Sequence, residues 1–372
     1  MNSSSQAALP TFAFMVAALV LAGFHAYSGV FGVFESFTQR NGHLLLVCGV
    51  LFTLILADGQ LSRIWRLVLL AALCVLGAAL INNLLHAHHY ANRMAYVTQL
   101  DPVSIWLGIA GIAALIIVSW RTLGTAFAMI VLTFIAYTAF GHHLPGALGH
   151  RGFNVSWTVD HLFYTREGVF GIPLGVSATY IYLFVFFGAV LDRCGGGKFF
   201  IDLAMSLTGR FRGGPAKAAV VGSAMMGTIS GSAVANVVTS GAVTIPLMKR
   251  NGYSPKFAGA VEAAASSGGQ LMPPVMGATA FVIAEFVGRP YSEIAMAALV
   301  PALLFYVGIF MAVHLEAVRT GIQGGTSSAR TLEALRYGGL YLLPLVVIAY
   351  SVFVFSPMRA GLYGVGAVLL VA

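Results

Sequence analysis

The sequence predicts an all-α polytopic membrane protein built around a re-entrant helical hairpin and a broken helix. Three observations carry that expectation. Hydrophobic residues make up 59 % of the 372 and charged residues only 9 %, where a soluble domain carries roughly 25 % charged residues. Mean hydropathy is +0.88. Apolar runs recur at lengths that cross a bilayer, and two of them are interrupted by small polar residues, glycine and proline. Such a composition excludes a soluble enzyme and makes the lipid bilayer a partner. The net charge of +8 does not point to nucleic acid, because the basic residues stand singly or in pairs at the ends of apolar runs, a topology signal. The three cysteines have no metal-ligand spacing and imply no disulfide framework.

The run that opens near Phe12 lacks a basic flank and is too long for a signal core, so it reads as the first spanning helix. Spans are expected near residues 11–34, 43–57, 64–85, 104–119, 122–141 and 171–191. The hairpin (213–248), the broken helix (254–287) and spans near 292–315, 337–356 and 360–372 follow. Linkers are short except 86–103, 142–170 and 316–336, the last holding a flexible Gly-Gly-Thr-Ser-Ser run. A composition shift near Trp120 divides the chain. Residues 1–120 read as a four-helix scaffold with few central glycines or prolines. Residues 121–372 are rich in Gly, Ser, Thr and Pro within apolar runs, which lets helices approach closely and exposes backbone where they break. The sequence stops inside the apolar run Val368–Ala372, which reads as a C-terminal truncation.

The stretch Gly213–Pro246 is apolar except for its centre, Thr228-Ile-Ser-Gly-Ser-Ala233. Only 31 residues separate Lys217 from Lys249, whereas one span needs ~20 residues and two spans plus a turn need ~45. A hairpin entering and leaving on one side fits. With the N-terminus inside and such a hairpin, 14 Lys and Arg lie in inner loops and 6 in outer ones, namely Arg40, Arg93, Arg151, Arg166, Arg289 and Arg359. A full span there would give 10 against 10, so the positive-inside rule favours a hairpin that opens to the cytoplasm.

Non-helical backbone at membrane depth survives only where protein or water satisfies it. At the tip, Ser230, Gly231, Ser232, Ala233 and Asn236 offer hard neutral oxygens and free backbone suited to sodium. Small-residue helix packing, extending along the arms to Ser223, Thr239 and Ser240, would explain the same residues. In the second stretch, Pro273 and Pro274 remove two backbone donors, while Gly268 and Gly269 relax the dihedrals before them. The carbonyls from Ser266 through Ser267, Gly268 and Gly269 to Gln270 are expected to lack helical partners. Half-helix ends of this kind suit a cation or an anionic group; a packed proline kink is the alternative. Glu262 is the one carboxylate well inside a central apolar stretch, and such residues usually serve a pathway. It could carry a proton, ligate a cation or pair with a basic residue; its distance of about two turns from the break favours an indirect role. His86, His88, His89, His142, His143, His150 and His161 fall outside, without an acidic or cysteine partner at ligand spacing. No nucleotide-binding or hydrolase motif occurs, so no cofactor and no enzyme activity are expected.

The stretches Phe211-Arg-Gly-Gly-Pro-Ala-Lys217, Gly227-Thr-Ile-Ser-Gly-Ser-Ala233, Ile245-Pro-Leu-Met248 and Gly268-Gly-Gln-Leu-Met-Pro-Pro274 resemble the DctM-like large membrane subunit of TRAP transporters. With four helices ahead of it, the chain looks like the fused permease found with TAXI-type binding proteins. The resemblance is specific over about Arg121–Glu316 and rests on helix count before that. It implies an elevator-type, ion-transporter-like fold of which only the first inverted repeat is present, the C-terminal half being absent. It implies import of an organic acid across the bacterial inner membrane, delivered by a periplasmic solute-binding protein and driven by sodium or protons. Ser230–Asn236 and Ser266–Pro274 match the family's first ion site. A re-entrant-hairpin channel, or a membrane-embedded enzyme using Glu262, are the alternatives.

Overall fold

The computed structural model describes residues 3–324, 336 and 338–371. Most of the Gly/Ser-rich stretch in the expected 316–336 linker, and Arg330 of the charge count, lie outside the described residues. Among the described residues every regular element is helical. Seven helices among these residues are long and apolar enough to cross a membrane: Phe12–Phe31, Ser36–Ala57, Arg63–Leu85, Pro102–Leu123, Thr125–His143, Ile172–Arg193 and Tyr291–Arg319. Their outward surfaces are apolar, and Leu19, Ile64, Phe134 and Leu304 are all about two-thirds exposed or more. In water such surface would aggregate; in lipid it is the expected face. The chain is a multi-pass membrane protein.

The chain divides into two compact units, residues 1–178 and 179–372. That division lies past the composition shift near Trp120 because contact, rather than composition, defines it. In the first unit, which begins with α1 (Ser3–Phe31), the helices α2 (Ser36–Ala57), α3 (Arg63–Leu85), α5 (Pro102–Leu123) and α6 (Thr125–Phe140) each pack on the long helix before them. A short α4 (Ala87–Asn92) links α3 to α5. Side-chain caps start the long helices: Glu35 accepts from Phe37 N, Ser62 from Trp65 N and Asp101 from Ser104 N. α3 buries Leu69, Leu73, Leu76 and Leu80 along one face, at the alternating four- and three-residue steps of a packed helix.

The expected 142–170 linker is folded. It forms α7 (Val155–Val159) and a π turn, Asp160–Tyr164, which settle on α5 where Gly108 and Gly111 leave room. A Cβ on Gly111 would lie 2.5 Å from the Phe163 ring. Here Asp160 pairs with Arg93, both side chains under 5 % exposed, and accepts Tyr96 N at 3.0 Å. α8 (Ile172–Val176) then begins the Ile172–Arg193 span. It is tied to α2 where Gln39 Nε2 donates to Ala178 O at 2.8 Å and His43 meets Ser177 Oγ at 3.2 Å.

The second unit holds α9 (Tyr182–Arg193), α10 (Gly196–Thr208), α11 (Gly214–Ser230), α12 (Ala233–Arg250) and α13 (Pro255–Gly268). These are followed by α14 (Ala278–Val287), α15 (Tyr291–Arg319), α16 (Leu342–Val354) and α17 (Pro357–Val371). α11 is the hub, packing on α9, α10, α12, α13 and α15. Its core is built of small residues: Ala216, Ala219 and Val220 meet Ala258, Val261 and Ala265 of α13 and Val313 and Ala317 of α15. Close helix approach through small side chains is how membrane helices gain van der Waals contact. One glycine of α13 serves no such approach: a Cβ on Gly259 would meet nothing within 4 Å. Gly259→Ala should therefore stabilise the protein by ~0.5–1 kcal/mol, read as a higher melting midpoint in detergent.

Candidate cation and solute site

The hairpin is α11 and α12 joined by two residues. Gly231 takes a left-handed conformation, φ +57°, and its amide closes on Gly227 O at 3.3 Å. Ser232 then caps α12, its Oγ accepting Ala235 N at 3.3 Å, while its own amide donates to Ser230 Oγ at 3.4 Å. The broken helix is α13 and α14, separated by residues 269–277, with a cis bond between the half-buried Pro273 and Pro274.

The expectation of bare carbonyls through the break needs correction. Ser266 O accepts Gly269 N at 3.1 Å, Ser267 O accepts Gln270 N, Gly268 O accepts Leu271 N at 2.9 Å, and Gly269 O accepts Met272 N. Gln270 O accepts Gly277 N at 2.8 Å. The helix therefore tightens into three-residue turns before it stops, which leaves each carbonyl its second lone pair. Outside this loop, two tyrosines of α15 hold it. Tyr306 OH donates to Ala265 O at 2.9 Å, and Tyr291 OH lies 2.8 Å from Pro274 O and 2.7 Å from Val275 O.

Tip and break meet backbone to backbone. A Cβ on Gly227 would sit 2.3 Å from Gly269 Cα, and one on Gly231 would sit 1.8 Å from Met276 O. Only glycine permits this approach. Between them lies a cavity of about 270 Å³ walled by Ser230, Gly231, Ser232, Gln270, Met276, Gly277, Ala278 and Thr279. Ile181, Phe184, Val185, Val275 and Phe281 complete it. The lining carries hydroxyls, one carboxamide and the N-terminus of α14, and no charged side chain. Such a wall can offer oxygens to a cation, and a helix N-terminus favours a neighbouring anionic group.

The structure brings Ser230, Gly231, Ser232 and Gln270 together on this cavity. Ala233 is the half-buried first residue of α12. Gly268 admits the Phe305 ring, a Cβ there lying 2.4 Å from it. Ser267 points away, exposed, with its hydroxyl donated to Ala263 O at 2.8 Å. Asn236 is fully buried behind the tip, donating Nδ2 to Ser223 O at 2.9 Å. Its Nδ2 lies 3.4 Å from where a Gly269 Cβ would stand, so Asn236 borders both segments. Ser266 and Glu262 are also fully buried, and Ser266 Oγ donates to Glu262 Oε1 at 3.1 Å.

Glu262 has no basic partner among the described residues. Four hydroxyls surround it instead: Ser223, Ser240 and Ser266 at Oε1, and Thr244 at Oε2, 2.5 Å away. Sequence reasoning passed over Thr244, yet Asn236, Ser240 and Thr244 recur every four residues, one polar stripe along α12. It also passed over Gly277, Thr279, Tyr291 and Tyr306. No spacing marks these, because only the tertiary fold brings them to the break. The outer histidines take separate partners: His86 bonds Asn82 O, His150 bonds Tyr137 O and His161 meets Tyr96 OH.

A family model described as the DctM component of the tripartite ATP-independent periplasmic transporter matches residues 107–372. The chain belongs to the DctM family. That family is a transporter component rather than an enzyme. The match takes in every residue of the tip and the break. Among curated relatives, this DctM-family chain is 30 % identical over 213 residues to a C4-dicarboxylate TRAP transporter large permease protein of Vibrio cholerae. That alignment covers 56 % of this chain and 44 % of the relative. It is 26 % identical to a 2,3-diketo-L-gulonate TRAP transporter large permease protein of Escherichia coli, covering 51 % and 45 %. An ectoine/5-hydroxyectoine TRAP transporter large permease protein of Ruegeria pomeroyi is 28 % identical, covering 48 % and 42 %. The chain thus spans less than half the length of these relatives.

Proposed function

We propose that this chain is the permease part of a binding-protein-dependent secondary transporter that imports an organic acid with sodium. The reading places it in the bacterial inner membrane, with its N-terminus and the open end of the hairpin on the cytoplasmic side. The observation that carries it is the uncharged cavity between hairpin tip and broken helix, with three hydroxyls and one carboxamide set in its wall, in a DctM-family chain. Fixed neutral oxygens suit sodium, whose charge then favours a carboxylate beside the α14 N-terminus. An elevator motion would carry hairpin and break together past the scaffold of residues 1–120, and a periplasmic solute-binding protein would deliver the acid. The relatives' names span a dicarboxylate, a keto-sugar acid and an ectoine, so the acid's identity is left to the assay.

The test uses full-length permease in proteoliposomes with its binding protein. Labelled acid should enter only under an imposed sodium gradient, and Ser232→Ala, which removes a helix cap worth ~1 kcal/mol, should weaken the sodium dependence. His88→Ala, far along the sequence from tip and break, should not. Uptake indifferent to sodium and proton gradients alike would overturn the reading. Rapid currents without binding protein would favour a channel.

A further inference from the structure

Another cavity, of about 470 Å³, runs between α5 and α6 in the first unit and shares no residue with the tip or the break. Ile112, Leu115 and Ile116 of α5 form one wall, and Val131, Phe134 and Ile135 of α6 the other. From Phe127 to Thr138 the lining covers ~16 Å of α6, about half the ~30 Å hydrocarbon thickness of a bilayer. α6 is the least buried of the seven spans. Phe127, Ile130 and Phe134 line the cavity and are also exposed, so it is continuous with the lipid-facing surface. Spread over its length, the volume gives a section of only ~30 Å². One alkyl chain fits such a slot, and a helix ~10 Å across does not.

The slot has a direction. Apart from Ser119, its polar side chains are Thr138, Trp157, Thr158 and His161. Ring contacts lead to them from the C-terminal end of α6: Tyr137 to His150 at 5.0 Å, His150 to Phe153 at 5.2 Å and Phe153 to Trp157 at 4.2 Å. His161 stacks on Trp157 at 5.2 Å, and its Nδ1 lies 3.0 Å from Tyr96 OH. Tyr96 belongs to the connection between α4 and α5, so this end stands at a membrane boundary, where amphipathic rings concentrate. The Arg151 guanidinium lies 5.5 Å over the Phe153 ring, and no carboxylate lines the slot. A lipid tail gains little by leaving other tails, which are as apolar as leucine. Preference for one lipid therefore rests on this end, where a guanidinium suits a phosphate. We propose that the slot binds one phospholipid, its acyl chain between α5 and α6 and its phosphate at the Trp157–His161 end beside Arg151. The site is independent of what drives transport.

The experiment counts the phospholipid that purified full-length permease keeps through extended washing in detergent, as phosphorus per chain, and identifies it by mass. The wild type should keep one per chain. Ile135→Trp fills the slot and should lose it. Leu132→Trp, on an exposed face of the same helix outside the lining, should keep it. Arg151→Glu should retain roughly tenfold less, the worth of one charge-assisted hydrogen bond. Adding phosphatidylglycerol to stripped wild type should raise its melting midpoint to a plateau, and Ile135→Trp should not respond. Equal retention in the two tryptophan variants would identify the lipid as general solvent of the protein surface and overturn the proposal. Wild type without phosphorus overturns it too, as does recovery of a fatty acid or an isoprenoid in place of a phospholipid. A dimer that Ile135→Trp dissociates, with no phospholipid bound, would assign the slot to a second copy of the chain and likewise overturn it. Should Ile135→Trp not fold, Arg151→Glu decides, since Arg151 is exposed; unchanged retention there overturns the proposal.

Discussion

Gly231→Ala is expected to reduce sodium-driven uptake by the full-length permease by about a hundredfold. Two effects combine. Holding alanine at φ +57° costs on the order of 1 kcal/mol. The larger effect is geometric: the new methyl group would stand 1.8 Å from Met276 O, a backbone atom that cannot rotate aside. Tip and break must part by an ångström or more, and misplacing binding groups by that much costs about 10²-fold. Gly288 separates the two effects. It too is left-handed, φ +67°, but a Cβ there meets nothing within 4 Å. Gly288→Ala should lose about 1 kcal/mol of stability and keep nearly normal uptake. Equal losses in both variants would show that strain alone matters and that the tip need not touch the break.

Asp160→Ala should destabilise the first unit by ~3–5 kcal/mol, because it leaves a buried guanidinium without its counter-charge. The Arg93 and Asp160 side chains are 3 % and 4 % exposed, and Tyr96 N loses its acceptor in the same step. The melting midpoint in detergent reads the loss. Arg93→Met together with Asp160→Leu should recover most of it, since a well-packed apolar pair often equals a buried ion pair. A single variant within about 1 kcal/mol of wild type would mean that water reaches the pair. The sodium half-effect concentration should not move in either variant.

Much of this architecture is legible in the residues. Thr228-Ile-Ser-Gly-Ser-Ala233 announces a turn, and the structure turns at Gly231 and Ser232. Gly268-Gly-Gln-Leu-Met-Pro-Pro274 announces an interruption, and α13 ends at Gly268. Glycine dihedrals, missing proline donors and apolar run length act within a few residues of themselves, so sequence reads them. The linker 142–170 was less legible, because its short helix and π turn are held by Arg93 and by the glycines of α5, distant in sequence. The carbonyls of the break looked bare because proline removes donors; that the chain would close three-residue turns and recover partners for them is a fact of the folded loop. The ring around Glu262 was half-legible. Ser223 and Ser240 stood out as polar residues in apolar arms, but that they face a carboxylate is a fact of packing.

The two tyrosines that hold the break make α15 a ruler. Tyr291 and Tyr306 stand on one helix, which continues through Pro301 between them, fifteen residues and ~22 Å apart along its axis, and each grips one side of the break. The separation of the half-helices is thus copied from a length of helix rather than from the loop between them. Adding or removing a single residue between these tyrosines would slide one grip by ~1.5 Å and swing it by about 100°, and the loop cannot follow both. Insertions that the surface connections of this chain would absorb should therefore be refused within 291–306, although this stretch does not line the cavity at the hairpin tip and carries no charge beyond Glu293.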